Sequence, residues 1–134
     1  KYLFLGMKDF QQLYLIAYHV LKNKINTQII PCKTIRGVNG VVYSSRNKNL
    51  DKNQLKIASD VFKYLNKKKK LIKKDLKHFN IIELKNKLIN LGVSKIDYLK
   101  LYNLKNLKKP KNKKENFNLF IAYYLKNVRL IDNF

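Results

Sequence analysis

At 134 residues the chain has room for one modest core, or for part of one domain plus a small second one. Its 46% hydrophobic content suffices for a packed interior, no apolar run approaches the roughly 20 residues of a membrane-crossing helix, and the single Cys32 excludes an internal disulfide and fits a reducing cytoplasm. The formal charge of +22 favours polyanionic partners on electrostatic grounds, yet arginine occurs only at 36, 46 and 129, and lysine comes with abundant Asn and Ile, the joint excess that AT-rich codons encode. Compositional drift accounts for the charge better than selection for RNA, and leaves only weak, salt-sensitive polyanion binding to expect.

The first element is a short apolar run, Tyr2-Leu3-Phe4-Leu5, which meets Gly6 and then a helical pattern from about Phe10 to Leu21. Open α/β sheets place ligands at such strand-turn-helix junctions. Gly6 permits close backbone approach, Lys8 supplies a mobile positive charge for phosphate oxygens, and the helix start adds inward-pointing N–H groups. Asp9, just before the helix, is placed either to cap it or to accept hydrogen bonds from a ribose. His19 falls within the helix and reads as partly buried. An apolar strand, Gln28-Ile29-Ile30-Pro31, follows, with Cys32 in the loop after it as a small apolar residue.

A loop holding Thr34, Ile35, Arg36, Gly37 and Gly40 leads to Val41-Val42-Tyr43-Ser44-Ser45-Arg46-Asn47. Two hydroxyls beside a guanidinium form a phosphate clamp, the serines donating single hydrogen bonds and the arginine a bidentate fork. A helix-capping serine pair beside a solvated Arg46 is the competing structural reading.

The chain divides near Asn47. Asp51 is placed to start a helix over Gln54–Leu65, with Leu55, Ala58, Val61, Phe62 and Leu65 on one face. A second helix spans Ile81–Leu91 and ends at Gly92. Strands follow at Ile96–Tyr102, Phe117–Tyr124 and Val128–Ile131. The runs Lys67-Lys68-Lys69-Lys70 and Lys108 to Lys114 read as solvated faces or loops, and His78 as solvated. Two helices on a small antiparallel sheet make an α+β lid domain. The expected architecture is therefore α/β: residues 1–47 form the C-terminal part of a doubly wound, Rossmann-like nucleotide-binding domain, and residues 48–134 form the lid.

Gly6-Met7-Lys8-Asp9-Phe10-Gln11-Gln12-Leu13, Ile30-Pro31 through Arg36, Gly40 with Ser44-Ser45-Arg46-Asn47, and the closing Val128-Arg129-Leu130-Ile131-Asp132-Asn133 together resemble the second half of the pantoate-beta-alanine ligase family. The resemblance implies a nucleotidyltransferase-type domain and a two-step reaction. ATP and pantoate give pantoyl adenylate and pyrophosphate, and beta-alanine then gives pantothenate and AMP. It implies that Lys8, Ser44, Ser45 and Arg46 hold the triphosphate and the leaving pyrophosphate, that Gly6 and Asp9 lie at the ribose, that backbone near Ile35 borders adenine, and that Gln12 binds pantoate. Magnesium is expected on substrate oxygens and water, with no protein metal site, and a homodimer is expected of the assembled protein. Tyr43, Gly37 and Asn39 depart from the family pattern, which points to altered loop dynamics.

The family's first half supplies a His-x-Gly-His type motif, and neither His19 nor His78 is followed by glycine. With Lys1-Tyr2-Leu3-Phe4 at its start, the chain reads as a fragment with little turnover of its own. The alternative from another class is a small basic RNA-binding or ribosomal protein, stacking bases on Tyr98, Tyr102, Tyr123 and Tyr124.

Overall fold

The apolar run after Lys1 forms a first strand, β1 (Tyr2–Gly6), and the switch to helical periodicity produces a 3₁₀ turn (Met7–Asp9) running into α1 (Phe10–Lys22). The computed structural model describes residues 1–134, in two compact units, Lys1–Ile35 and Arg36–Phe134. In the first unit α1 buries Phe10 and Leu13, three residues apart on one face, and ends where the Asn23 amide bonds the His19 carbonyl at 3.0 Å. β2 (Gln28–Cys32) returns parallel to β1, with Tyr2 opposite Gln28 and Gly6 opposite Cys32. Parallel pairing needs a crossover of about a dozen residues, which α1 provides, and the resulting β-α-β unit is the building block of doubly wound nucleotide-binding sheets. Two details differ from the sequence reading. His19 is exposed, its Nδ1 3.2 Å from the Asn23 amide nitrogen, and Cys32 is an exposed strand residue rather than a packed loop residue.

The second unit opens with a tight hairpin in which Arg36 bridges Val42 and Gly40 adopts φ +81°. A 3₁₀ turn (Ser45–Asn49) leads to α2 (Lys52–Lys74), and a further 3₁₀ turn (Leu76–His78) to α3 (Ile81–Asn90). Asp51 starts α2 through a capping box: its carboxylate accepts from the Gln54 amide while the Gln54 side chain accepts from the Asp51 amide, both at 2.8 Å. Asn80 caps α3, and Gly92 follows it at φ +104°. β3 (Lys95–Asn103), β4 (Phe117–Leu125) and β5 (Val128–Asn133) form an antiparallel sheet in that order. Ala58, Val61, Leu65 and Ile72 of α2 and Leu84 and Leu88 of α3 build one core with Leu99 of β3 and Phe117, Leu119 and Ile121 of β4. The units meet in sequence between Ile35 and Arg36, earlier than the expected division near Asn47, because Arg36 pairs with Asp132 and Val41 packs in the core of the second unit.

α2 continues past Leu65 through the whole lysine run. Lysine is a good helix former, and Ile72, fully buried, extends the apolar stripe by two turns beyond Leu65. Lys67 and Lys70 face solvent, as expected of that run, but Lys68 and Lys69 are partly buried. Lys68 pairs with Glu83 of α3. The Lys69 Nζ lies 3.4 Å from the Asn118 side-chain amide of β4. Burial, together with the Lys73 and Arg36 cations, pushes Lys69 down to about 8.

Lys69 gives folding a pH dependence. Between the folded value of about 8 and the ordinary 10.5, the unfolded chain keeps a proton on this residue that the folded chain has released, so stability rises with pH across that window. Lys69→Met is expected to raise the urea midpoint at neutral pH and to flatten that rise; Lys70→Met, at an exposed neighbour, leaves it intact.

Candidate nucleotide-binding site

The candidate residues form two groups, one on each unit. In the first, Gly6 ends β1 with φ −70° and ψ 130°, a conformation open to any residue, and an added Cβ would meet nothing within 4 Å. Packing therefore gives no reason for glycine here. Lys8 lies in the 3₁₀ turn, partly buried, and Gln12 is exposed on the first turn of α1. Asp9 occupies the N-cap position of α1 at φ −92° and ψ 54°, where its carboxylate makes no capping bond. The backbone there is outside the extended region in which a cap side chain reaches back to the N2 or N3 amide. Asp51, Asp60, Asp75, Glu83, Asp97, Glu115 and Asp132 all have a hydrogen-bond or ion-pair partner. Asp9, the eighth acid, has none. Ile35 closes this unit with 70% of its surface exposed.

In the second group Ser44 is extended and its Oγ accepts from the Arg46 amide at 3.3 Å. The capping reading of the serine pair thus holds for Ser44, whose hydroxyl hydrogen is still available to donate. Ser45 and Arg46 are exposed, with the Arg46 Nη1 3.4 Å from the Arg129 carbonyl on β5. Arg129 is held by Asp97 of β3 through a 2.7 Å ion pair, which raises the guanidinium's pKa. A tyrosine precedes the serines, and it is 64% exposed.

What supports this turn escaped the sequence reading. Arg36 donates to both oxygens of Asp132, Nη1 to Oδ2 at 2.6 Å and Nη2 to Oδ1 at 2.8 Å. The same guanidinium donates to the Gly40 carbonyl at 3.1 Å and the Asn133 carbonyl at 3.2 Å, and lies over the rings of Phe62, 4.7 Å away, and Phe134, 5.4 Å away. The one available signal was compositional: in a chain whose basic residues are nearly all lysine, an arginine marks a site needing a planar fork.

Of the four tyrosines singled out for base stacking, two are engaged within the protein. Tyr123 is a core residue, 5% exposed, and Tyr102 packs on Phe120 with ring centroids 5.6 Å apart. No helix is long and apolar enough to cross a membrane.

A parallel β-α-β unit followed by an α+β unit defines a mixed α/β protein. Within that class the chain belongs to the pantoate-beta-alanine ligase family, whose sequence profile matches residues 1–134. It is 38% identical over 132 residues to the pantothenate synthetase of Francisella tularensis subsp. novicida, covering 98% of this chain and 42% of that protein. The crystal structure of pantoate-beta-alanine ligase from Francisella tularensis, complexed with beta-gamma ATP and beta-alanine, superposes with a TM-score of 0.71 at 36% identity, covering 99% of this chain and 42% of that one. Pantothenate synthetase from Thermus thermophilus shares the fold, with a TM-score of 0.85 at 20% identity over 99% of this chain and 49% of that one. The chain thus spans less than half the length of these relatives.

Removing Asp132 leaves the Arg36 charge largely buried and unpaired, a loss that typically costs about 3 kcal/mol or more. Asp132→Ala is therefore expected to lower the urea unfolding free energy by about that amount, and Arg36→Lys, which cannot reproduce the fork, by a comparable one. A change below about 0.5 kcal/mol in both would show that the pair carries little of the fold.

Proposed function

We propose that this chain is the ATP-handling part of an enzyme that condenses pantoate with beta-alanine. The observation that carries this reading is the family match over the full chain, and the beta-gamma ATP and beta-alanine named for the Francisella tularensis structure support it. In the first step a pantoate carboxylate oxygen attacks the α-phosphorus of ATP, the α–β anhydride bond breaks, and pyrophosphate leaves. In the second the amine of beta-alanine attacks the acyl carbon, AMP leaves with the bridging oxygen, and the amine gives up its proton. No covalent enzyme intermediate is needed; the protein contributes alignment and charge stabilisation.

In this reading Lys8, Ser45 and Arg46 neutralise and orient the triphosphate and the departing pyrophosphate, with the Ser44 hydroxyl donating a further bond. The open space beside Gly6 allows a nucleotide to approach the backbone closely, and Asp9 accepts from the ribose hydroxyls; a solvent-facing carboxylate with no protein partner suits that role. Backbone at Ile35 borders the adenine, and Gln12 binds pantoate. Magnesium neutralises the polyphosphate through substrate oxygens and water. Residues 48–134 act as a lid that keeps water from the acyl adenylate. We further place the assembled enzyme in the cytoplasm as a homodimer, and read the chain alone as a weak nucleotide binder.

Pantoate-dependent pyrophosphate release tests the reading, measured for this chain and for the chain joined to the coding sequence upstream of it. Activity is expected in the joined protein, and Lys8→Ala should lower its kcat/KM roughly 100-fold, the usual effect of losing one group that stabilises developing charge. Sequence-selective RNA binding that survives moderate salt, without ligase activity in either form, would overturn it.

A further inference from the structure

Ser45 and Arg46 stand on a single 3₁₀ turn, too short to hold its shape by hydrogen bonds of its own. Arg46 reaches the Arg129 carbonyl on β5 at 3.4 Å from an exposed position, and Asn47 ties the turn to the buried hairpin. Asn47 Nδ2 donates to the Val42 carbonyl at 3.0 Å, closing the segment Tyr43 to Arg46 into a loop. The Asn47 backbone amide donates to the Ser44 carbonyl at 3.0 Å, and its carbonyl accepts from the amide of buried Leu50 at 3.2 Å. Val42 is itself fixed, 8% exposed and bridged to Arg36.

The other end of the same amide has no such use. Asn47 Oδ1 is buried without a partner in the protein, and Asn47 lines a cavity of about 10 Å³ with Val42, Ala58, Val61, Tyr123 and Asp132 among its walls. A buried amide oxygen without a partner is costly, and a leucine, with the same branched shape, would carry no polar atom to orphan. Keeping an asparagine here sacrifices stability for the bond its nitrogen makes, a trade found where geometry serves function.

We propose that Asn47 is a positioning residue for phosphate binding. Its amide holds the turn in the one geometry that aims the Ser44 and Ser45 hydroxyls and the Arg46 guanidinium at a polyphosphate, acting through these residues without touching the ligand. This rests on the reading that they take the phosphates of ATP.

Asn47→Leu removes the donor to Val42 and the orphaned oxygen together. The expected result is amide hydrogen exchange at Arg46 and Asn47 about 10-fold faster while the amides of β3 and β4 are unaffected, and ATP affinity about 10-fold weaker, the worth of one hydrogen bond. Asn47→Asp adds a readout that packing alone would not move. Its protonated carboxyl can donate to Val42 and its ionised form repels that carbonyl, so ATP affinity and loop protection should fall as pH rises through that group's pKa, unlike in the unsubstituted chain. Loop exchange and ATP affinity unchanged in Asn47→Leu overturn the proposal. If the unsubstituted chain binds no ATP, the functional reading fails and exchange alone decides the positioning role: acceleration at Arg46 sustains it, unaltered rates overturn it. Should Asn47→Leu not fold, Asn47→Asp decides: loop protection independent of pH, after correction for intrinsic exchange, overturns the proposal.

Discussion

The guanidinium of Arg36 is the point on which the second unit turns. Its four donated hydrogen bonds reach Asp132 and Asn133 at the end of β5 and Gly40 in the hairpin, while the Phe62 ring of α2 and the Phe134 ring lie against the guanidinium plane. Sheet, helix and hairpin are thereby held to one planar group, and only arginine offers donors in such a fork with faces that stack on aromatic rings. The arrangement constrains its neighbours. Gly40, at φ +81°, runs so close under Phe62 that an added Cβ would come within 2.0 Å of the ring, so any side chain there would displace Phe62 and strain the backbone. The hairpin so fixed leads through Val41 and Val42, both buried, into the turn that carries Ser44, Ser45 and Arg46. A surface segment proposed to meet a highly charged ligand is thus anchored at its root by an internal charge pair.

Much of this was legible in the sequence because it is written locally. The change from an apolar run to helical spacing after Leu5 located the junction holding Gly6 and Lys8, and Asp51 three residues before Gln54 announced the start of α2. The order of the family-like segments identified the family. What was not legible depends on distance or on neutral composition. Arg36 and Asp132 are 96 residues apart, and nothing in either neighbourhood names the other. The end of α2 was hidden because the lysines between Leu65 and Ile72 carry no apolar rhythm, although they propagate a helix well. Asp9 looked like a cap because Asp before a helix usually is one; only its backbone angles show that it does not serve. Asn47 was visible as part of a motif, but the partner of its amide nitrogen and the isolation of its oxygen belong to the folded chain alone.

Scarcity of acid shapes the electrostatics. With 8 acidic residues against 30 basic ones, most cations have no counter-charge within the protein, and six of the acids serve as internal fasteners. Asp51 and Asp75 cap helical turns, Asp97 and Asp132 hold arginines, Glu83 ties α3 to Lys68 of α2, and Glu115 closes the β3–β4 connection onto the Lys111 amide. A chain can carry a large positive charge and still fold when its few anions are placed where geometry, more than neutralisation, is needed.

The placement of Lys69 in α2 has a chemical side. An amine attacks acyl and aldehyde carbons only through its lone pair, and at pH 8 about half of the Lys69 side chains carry one, against roughly one in 300 for a lysine of ordinary basicity. Partly open to solvent, Lys69 remains within reach of small reagents. Among the lysines of α2 it is the one whose lone pair a mild acylating reagent would find free most often, a chemical consequence of seating an amine on the helix that packs against the sheet.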